Sequence, residues 1–265
     1  MARLHLFELE DQAWFPAVLR NAGTAYLRKV SELAGQPAWI TPTLASLLRR
    51  TGVTRLIDLC SGGAGPIPQI LDGLRAEGIE ATALLTDLHP NVETLRAVVA
   101  ECDGRAEYSA DPIDATRVPA DLRGVRTLFN GFHHFRPEVA RKLLQDAVDA
   151  RQPIAIFEVV ERSPQFLIGI LSSPIPVLLL IPFLRPFDWR WIVFTYLIPL
   201  IPLFVLWDGF VSGLRVYSVE ELRGLTASVR APGWHWEIGR IKMGRQPASV
   251  TFLTGRPEPV EADGP

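Results

Sequence analysis

Between residues 54 and 160 the chain alternates between short apolar runs and longer segments with helical periodicity. Apolar runs of this length, ended by glycine or polar residues, are typical of buried strands in a parallel sheet. The runs predict strands at 54–60, 81–86, 125–130 and 153–160. The segments between them predict helices at 66–77, 91–102 and 137–149. Because strand–helix–strand units cross over right-handedly, this alternation predicts an α/β fold with a doubly wound parallel sheet.

Two helices are predicted before the first strand, one from about Gln12 to Ala34 and one from Thr41 to Arg50. Thr41 followed by Pro42 matches a helix N-cap with proline at the first helical position. Ligands of doubly wound folds bind at the carboxyl edge of the sheet. The two helices therefore either form a lid over that edge or pack against the flank of the sheet.

The segment near the carboxyl terminus predicts the rest of the sheet. Ser218 and Glu221 form a capping box that starts a helix. Residues 234–241 and 249–255 predict a terminal antiparallel strand pair. The last residues, 257–265, are rich in proline, glycine and acidic residues and predict a flexible tail.

A long apolar segment at 166–207 interrupts this organisation, with 29 apolar side chains among its 42 residues. Its charged residues are Arg185, Asp188 and Arg190, and six prolines divide it. The uncharged stretches on either side of those charges would be ~28 Å and ~25 Å long as helices. We interpret the segment as a hydrophobic helical hairpin inserted into the fold.

Composition separates the insert from the remaining chain. Outside 166–207, about 44% of residues are apolar, which is ordinary for a soluble domain. The 27 basic and 29 acidic residues give a net charge of −2, which does not favour nucleic-acid binding. Two cysteines, Cys60 and Cys102, are too few for a disulfide framework and fit a reducing compartment. The amino terminus has no apolar core of signal-peptide length, so we expect a cytoplasmic location.

These patterns divide the 265 residues into five parts. We predict an N-terminal helical lid at 1–50, a cofactor-binding core at 51–165, the hydrophobic insert at 166–207, the end of the core at 208–256 and the tail at 257–265.

The segment from Asp58 to Pro66 reads D-L-C-S-G-G-A-G-P and lies between a predicted strand and a predicted helix. Glycines there let the backbone approach a ligand, and helix-start amides favour polar or anionic groups. Asp87 ends the next strand, where an acidic residue reaches the hydroxyls of a ribose; its alternative role is to cap the following helix. A P-loop is absent, and position 68 lacks the third glycine of a dinucleotide fingerprint.

These segments resemble the class I S-adenosylmethionine-dependent methyltransferases, motif by motif over about 50–160. LIDLCSGGAG is similar to the family's first motif, although Cys60 stands where glycine is commoner. The resemblance implies a seven-stranded Rossmann-like sheet with an antiparallel final strand, and S-adenosylmethionine as cofactor. Asp114 would accept from the adenine amino group, with Asp111 as a rival. The implied cofactor-binding residues are Asp58, Cys60, Gly62, Gly63, Gly65, Asp87, Leu88, Asp114, Ala115 and Asn130.

Methyl transfer requires alignment and, for an acidic nucleophile, removal of a proton. His133 and His134 follow Asn130 at the end of the strand that the resemblance places beside the reacting methyl group. Imidazole titrates near neutrality, so either histidine is a candidate general base, or the pair only lines the pocket. Glu158, at the end of its strand, is a further catalytic candidate. No metal site is predicted.

Four residues outside the core are candidate substrate contacts. Glu8 and Trp14 lie in an acidic and aromatic amino-terminal segment, which alternatively begins an amphipathic helix. Arg215 could hold a carboxylate or phosphate, or form an ion pair with a neighbouring side chain. Tyr217 follows it beyond the insert.

The insert admits three interpretations: helices that dip into one membrane leaflet, a cap over an apolar substrate, or a spanning hairpin. The prolines argue against straight spanning helices, and Trp189, Trp191 and Trp207 suit a membrane interface. We therefore predict a membrane-associated methyltransferase that acts on a hydrophobic small molecule or lipid-like acceptor. The alternative is a non-catalytic nucleotide-sensing or membrane-scaffold protein on the same fold.

Overall fold

A computed structural model describes residues 1–242, 244 and 249–258. Seven strands form one sheet in the order β3-β2-β1-β4-β5-β7-β6. The strands are β1 (Arg55–Asp58), β2 (Thr82–Leu85), β3 (Ala106–Tyr108), β4 (Val125–Phe129), β5 (Ile154–Glu158), β6 (Trp234–Lys242) and β7 (Ser249–Pro257). Strands β1 to β5 are parallel, whereas β7 runs antiparallel to both β5 and β6. The predicted fold class, with an antiparallel final strand, is confirmed.

The helices follow the strands as a doubly wound sheet requires. They are α1 (Ala17–Leu33), α2 (Gln36–Thr51), α3 (Ile67–Ala76), α4 (Val92–Ala100), α5 (Pro137–Asp149), α6 (Pro164–Ile170), α7 (Pro174–Leu180), α8 (Trp189–Ile192), α9 (Leu200–Arg215) and α10 (Val219–Ala227). Apolar side chains of β1, β4 and β5 are buried on both sides of the sheet, in two separate core clusters. The parallel register brings the carboxyl ends of these strands to one edge.

Two local predictions have different outcomes. Ser218 accepts from the Glu221 amide and Glu221 accepts from the Ser218 amide, so the predicted capping box is confirmed. The N-cap predicted at Thr41 is wrong, because α2 begins after left-handed Gly35 and continues through Pro42. The Thr41 hydroxyl instead donates to the Pro37 carbonyl within the helix, at 2.8 Å.

The insert is a chain of short helices that breaks at prolines, as the sequence predicts. α6, α7 and a short 3-10 turn form its first half. α8 and one turn of π-helix precede α9, which continues to Arg215. The boundary predicted at 207 falls within α9 and stays a prediction. Residues 259–265 of the predicted tail lie outside the described residues.

Within the described residues, no helix alone has the length and apolarity to cross a membrane. Two bent pairs reach that length together. Pro164–Ile170 and Pro174–Phe183 meet at 45°, and Trp189–Leu197 and Leu200–Arg215 meet at 81°.

One face of the insert packs onto α1 and forms a third apolar cluster. Tyr26 of α1 belongs to this cluster, as do Val177, Trp191 and Phe204 of the insert. The Trp191 indole donates to the Val18 carbonyl at 3.0 Å. The insert is therefore anchored to the amino-terminal helix rather than to the sheet.

Candidate active site

The loop after β1 has the backbone conformation that its glycines allow. Gly62 and Gly65 have φ values of 50° and 41°, and the non-glycine residues Cys60 and Ala64 also have positive φ, 58° and 61°. Such left-handed conformations cost little at glycine but are unfavourable for other residues. The loop is thus turned tightly against the sheet edge before α3 begins.

Asp58 holds this loop in place. Its Oδ2 accepts from the Ser61 hydroxyl at 2.7 Å, and its Oδ1 accepts from the Thr127 hydroxyl of β4 at 2.9 Å. Burial raises the pKa of Asp58 to about 7, although both hydrogen bonds lower it. The geometry favours a role for Asp58 in ordering the loop.

Asp87 joins the first loop to the loop after β2. Its Oδ2 accepts from the Gly62 amide and its Oδ1 from the His89 amide, both at 2.8 Å. The Asp87 carbonyl accepts from the Ile113 amide, also at 2.8 Å. The cap of α4 is supplied instead by Asn91, whose side chain accepts from the Thr94 amide. The half-buried Asp87 carboxylate is therefore free of the capping role.

The segment after β3 lies next to Asp87. Asp114 is exposed, and its Oδ1 accepts from the amide and hydroxyl of Thr116, both at 2.8 Å. Ala115 is buried beneath it, whereas Asp111 and Leu88 are exposed. The predicted adenine-binding segment is thus brought to the same edge as Asp87.

Asn130 ends β4 in a left-handed conformation, with φ of 53°. Its side-chain oxygen accepts from the Val159 amide at 2.7 Å, which links the ends of β4 and β5. The next residue, Gly131, lies against Cys60 of the glycine loop. Asn130 therefore shapes the site through the backbone.

Helix α1 covers the glycine loop. A Cβ atom at Gly63 would lie 3.0 Å from the Thr24 Cβ, so glycine permits the close approach of this helix. The Asn91 amide also donates to the Asn21 side chain of α1, at 2.9 Å. Of the two positions considered for the amino-terminal helices, α1 has the contacts of a lid.

A cavity of about 790 Å³ opens beside Gly63, between α1, α4 and the turn of the insert. Arg185, Phe187 and Trp189 line one side of it. A cavity of this size and mixed polarity can hold a small molecule.

His133 and Glu158 form a buried dyad at the ends of β4 and β5. His133 Nδ1 donates to Glu158 Oε2 at 2.7 Å. Glu158 Oε1 accepts from the amides of Phe132 and His133, at 2.7 and 3.1 Å. Since an ionised carboxylate only accepts hydrogen bonds, the proton lies on Nδ1. His133 Nε2 is left with the lone pair that a general base needs.

The amino-terminal segment covers this dyad with a cluster of charged side chains. Glu8 is completely buried, with Oε1 3.9 Å from His133 Nε2 and Oε2 3.1 Å from His134 Nδ1. Asp11 accepts from His134 Nδ1 at 2.8 Å and from Arg215 Nη1 at 2.6 Å. Arg215 Nη1 also lies 3.2 Å from Glu8 Oε2. We call these five residues the ionic cluster.

The ionic cluster fixes protonation states. Burial disfavours the charged form of His134, but Asp11, Glu8 and Glu10 outweigh it and raise the pKa of His134 to about 10. Burial also acts on Asp11, yet His134 and Arg215 hold the pKa of that carboxyl well below its usual range. His134 is therefore a cation at neutral pH and is not suited to act as a general base.

Helix α9 holds the covering segment from the other side. Asp208 accepts from the amides of Leu9 and Glu10, at 2.8 and 3.0 Å. The Ser212 hydroxyl donates to Glu8 Oε1 at 3.0 Å. Burial raises the pKa of Asp208 to about 7, against the effect of the two amides. Helix α9 therefore connects the insert to the amino-terminal segment that covers the dyad.

No protein-family model and no curated protein matches the chain. Solved structures do match it. An O-methyltransferase family protein from Burkholderia thailandensis has a TM-score of 0.52 and 16% identity, over 91% of this chain and 60% of the other. The plantazolicin methyltransferase BpumL, in complex with SAH, has a TM-score of 0.50 and 12% identity, over 91% and 96%. This chain has the fold of the class I methyltransferases.

A third structure with this fold is the apo form of the S-adenosylmethionine-dependent methyltransferase SibL, with a TM-score of 0.50 and 13% identity. It is matched over 83% of this chain and 55% of its own. The chain thus spans little more than half of SibL and 60% of the Burkholderia protein, but nearly all of BpumL. At these identities the likeness establishes the methyltransferase fold, and the site must be argued from its own geometry.

Within this methyltransferase fold, three of the four predicted substrate contacts have other partners. Trp14 is 69% exposed and stacks edge-on against Phe15, away from the ionic cluster. The Tyr217 hydroxyl donates to the Phe135 carbonyl at 2.7 Å, and its ring packs in the core. Arg215 is buried in internal ion pairs. The fourth, Glu8, does reach the dyad.

The methyltransferase fold also brings together a grouping that sequence spacing conceals. Glu8, His133 and His134 each place one possible ligand atom within 4.8 Å of the others. Arg215 already lies beside Glu8 as a counter-charge. The prediction that no metal is bound stays a prediction.

Several residues of the site were not predicted. Ser61 and Thr127 hold Asp58, while Asp208 and Ser212 hold the covering segment. Ser61 lies inside the glycine motif, and its hydroxyl is a signal that sequence reasoning could have used. The other three are recognisable only once the chain path is known.

Proposed function

We propose that this protein is an S-adenosylmethionine-dependent methyltransferase that acts on a hydrophobic small-molecule or lipid-like acceptor. The observation that carries the proposal is the His133–Glu158 dyad, next to a tightly turned glycine loop at the carboxyl edge of a methyltransferase sheet. Ligands of doubly wound sheets bind at this edge.

The residues at the edge fit the proposed cofactor. Gly62, Gly63 and Gly65 leave the backbone of the loop open to a ligand, and the adjacent Asp87 carboxylate has lone pairs left for ribose hydroxyls. Asp114 and Ala115 would hold the adenine on the neighbouring loop. S-adenosylmethionine supplies an electrophilic methyl group on a sulfonium.

The dyad supplies base catalysis to an acceptor that carries a proton. His133 Nε2 would accept the proton of the acceptor hydroxyl, whose oxygen would then be the nucleophile for the methyl group that the bound cofactor would supply. Glu158 would keep the Nδ1 proton in place and stabilise the imidazolium. Asn130 aligns the strand ends on which both residues sit.

The hydrophobic acceptor is supported by the surroundings of the glycine loop. Phe187 and Trp189 of the insert line the cavity beside Gly63. The remaining lining is mixed, with charged residues such as Arg28 and Glu93 beside the aromatic rings, so the rings offer a place for the apolar part of an acceptor. The covering segment over the dyad excludes water, which would compete for the base.

Cofactor binding is tested first, by isothermal titration of the full chain with S-adenosylmethionine. Asp87→Ala is expected to weaken binding at least tenfold, because the carboxyl edge of the sheet loses the carboxylate that accepts from the ribose hydroxyls. Asp121→Ala is the matched control, since Asp121 is exposed in the loop before β4. Absence of binding, or equal binding by both variants, would contradict the proposal.

Turnover is tested separately, with radiolabelled S-adenosylmethionine and a panel of long-chain alkylphenols and hydroxy fatty acids. Methyl transfer to a panel member is expected, and its loss in His133→Ala would identify the base. Tight cofactor binding without transfer to any lipophilic acceptor would favour the non-catalytic, nucleotide-sensing alternative.

A further inference from the structure

The outer face of the insert is largely exposed within the described residues. Of the 23 large hydrophobic side chains that are exposed there, 14 belong to the insert. They are Ile168, Leu171, Ile175, Leu178, Leu179, Phe183, Phe187, Trp189, Tyr196, Leu197, Ile198, Leu200, Leu203 and Trp207. Helices that are apolar all round require an apolar environment on every side. Helix α1 covers one side of the insert, so a second apolar partner is required on the other.

The amino-terminal segment adds to this face. Leu4, Leu6, Phe7 and Trp14 are also exposed, and Phe7 lies against Trp207 with ring centroids 5.5 Å apart. The Trp207 indole donates to the Phe7 carbonyl at 3.1 Å. We call the 14 residues of the insert together with these four the apolar face. Its exposed area is on the order of 1,000 Å², beyond the few hundred that monomers usually expose.

We propose that the apolar face docks on a lipid surface, and that the amino-terminal segment is part of the contact. Exposed tryptophans and a tyrosine are distributed over the face, and such side chains favour the boundary between hydrocarbon and water. Proline breaks leave backbone groups that need water or headgroup partners, which excludes deep burial in hydrocarbon.

The charges of the insert define how deeply it sits. Arg185, Asp188 and Arg190 lie in the turn between its two apolar halves, so a hairpin that spanned the bilayer would carry them across the hydrocarbon. Asp188 and Arg190 pair at 2.6 Å, and the Arg190 side chain is 54% exposed to solvent. Flat docking leaves these charges at the headgroup level.

The docking surface also reaches the proposed active site, a consequence that rests on the proposed function. Phe7 is 55% exposed on the apolar face, whereas its neighbour Glu8 is completely buried beside His133. Phe7, at which we propose lipid contact, therefore directly precedes Glu8, which covers the dyad.

The experiment is flotation of the full chain with phosphatidylcholine vesicles, with and without phosphatidylglycerol. Phe183→Ser/Trp189→Ser and, separately, Phe7→Ser/Trp14→Ser are each expected to weaken vesicle binding at least about tenfold, because each pair removes two large apolar contacts. Leu33→Ser is the matched control: Leu33 is 63% exposed and ~24 Å along α1 from its start. It is expected to bind as the wild type does.

A second measurement needs no substitution. Brominated lipids are expected to quench the tryptophan fluorescence of the wild-type chain, since Trp14, Trp189 and Trp207 lie on the apolar face. Absence of vesicle binding and of quenching would overturn the proposal, as would a stable dimer that covers the face in light scattering. Wild-type binding by Phe7→Ser/Trp14→Ser would remove the amino-terminal segment from it. None of these results depends on cofactor binding or turnover, so the proposed function is tested independently.

Discussion

The carboxyl edge of the sheet and the apolar face contain similar side chains in opposite environments. Leu128 and Phe157 of the central strands are completely buried, whereas Phe183 and Leu197 of the insert are 73% and 78% exposed. At the sheet edge, polar groups are arranged around a buried dyad and hydrogen-bonded to each other. On the apolar face, polar groups are confined to one turn. The comparison indicates that one region is organised for chemistry and the other for contact with an apolar phase.

The two regions meet at the ionic cluster. Its members come from the amino-terminal segment, the end of β4 and α9, and they are the polar link between the dyad and the insert. If the regions have separate roles, changes on either side should affect different measurements. Changes in the ionic cluster should affect the measurements of both regions.

The largest expected effect distinguishes methyl transfer at the dyad from lipid contact at the apolar face. His133→Ala is expected to lower the rate of methyl transfer to an alkylphenol about 10²–10⁴-fold, because the general base is lost. Vesicle flotation of the same variant is expected to equal that of the wild type. Glu158→Gln should displace the pH profile of transfer, since the amide cannot stabilise an imidazolium as a carboxylate does. A His133→Ala variant with full transfer activity would refute the assignment of the base.

The next largest effect concerns the ionic cluster, where the two regions meet. Arg215→Ala removes the more deeply buried of the two cations beside Glu8 and Asp11, the other being His134, and is expected to destabilise the fold by about 3–5 kcal/mol. Arg190→Ala removes an exposed pair with Asp188 and is expected to change stability by about 0–1 kcal/mol. Urea unfolding of both variants measures the difference. Equal effects would show that the cluster contributes no more than a surface ion pair.

Strands with both faces buried could be predicted from the sequence, because continuous apolar runs are a strong signal. The predicted segments at 54–60, 125–130 and 153–160 contain β1, β4 and β5. β3 has no such run: Ala-Glu-Tyr lies on the edge of the sheet, where one side is left to solvent. A strand of only three residues with one exposed side therefore leaves no apolar run for the sequence pattern to detect.

Site residues that lie at strand ends could be predicted from the sequence. Site residues that the fold brings together from distant segments could not. His133, Glu158 and Asp87 follow predicted strands, and parallel strands bring their carboxyl ends together. Arg215 and Asp11 are separated by 204 residues, so no spacing rule connects them. Arg215 was predicted as a possible substrate ligand because its burial beside acidic side chains is invisible in the sequence.

The smallest effect is a pH dependence that originates in the ionic cluster. The pKa of His134 is raised in the folded chain to about 10, above its ordinary value of 6.5. Stabilisation by the charged imidazole is therefore complete below about pH 6.5 and is lost as pH rises towards 10. Hydrogen exchange of the amides of Leu9 and Glu10, which Asp208 holds, is expected to accelerate over this range beyond the intrinsic base catalysis of exchange. In His134→Gln the additional acceleration should vanish, whereas in His89→Gln, a change at an exposed histidine, it should persist. If both variants behave as the wild type does, His134 does not control the cover of the dyad, and the two regions are coupled through Arg215 instead.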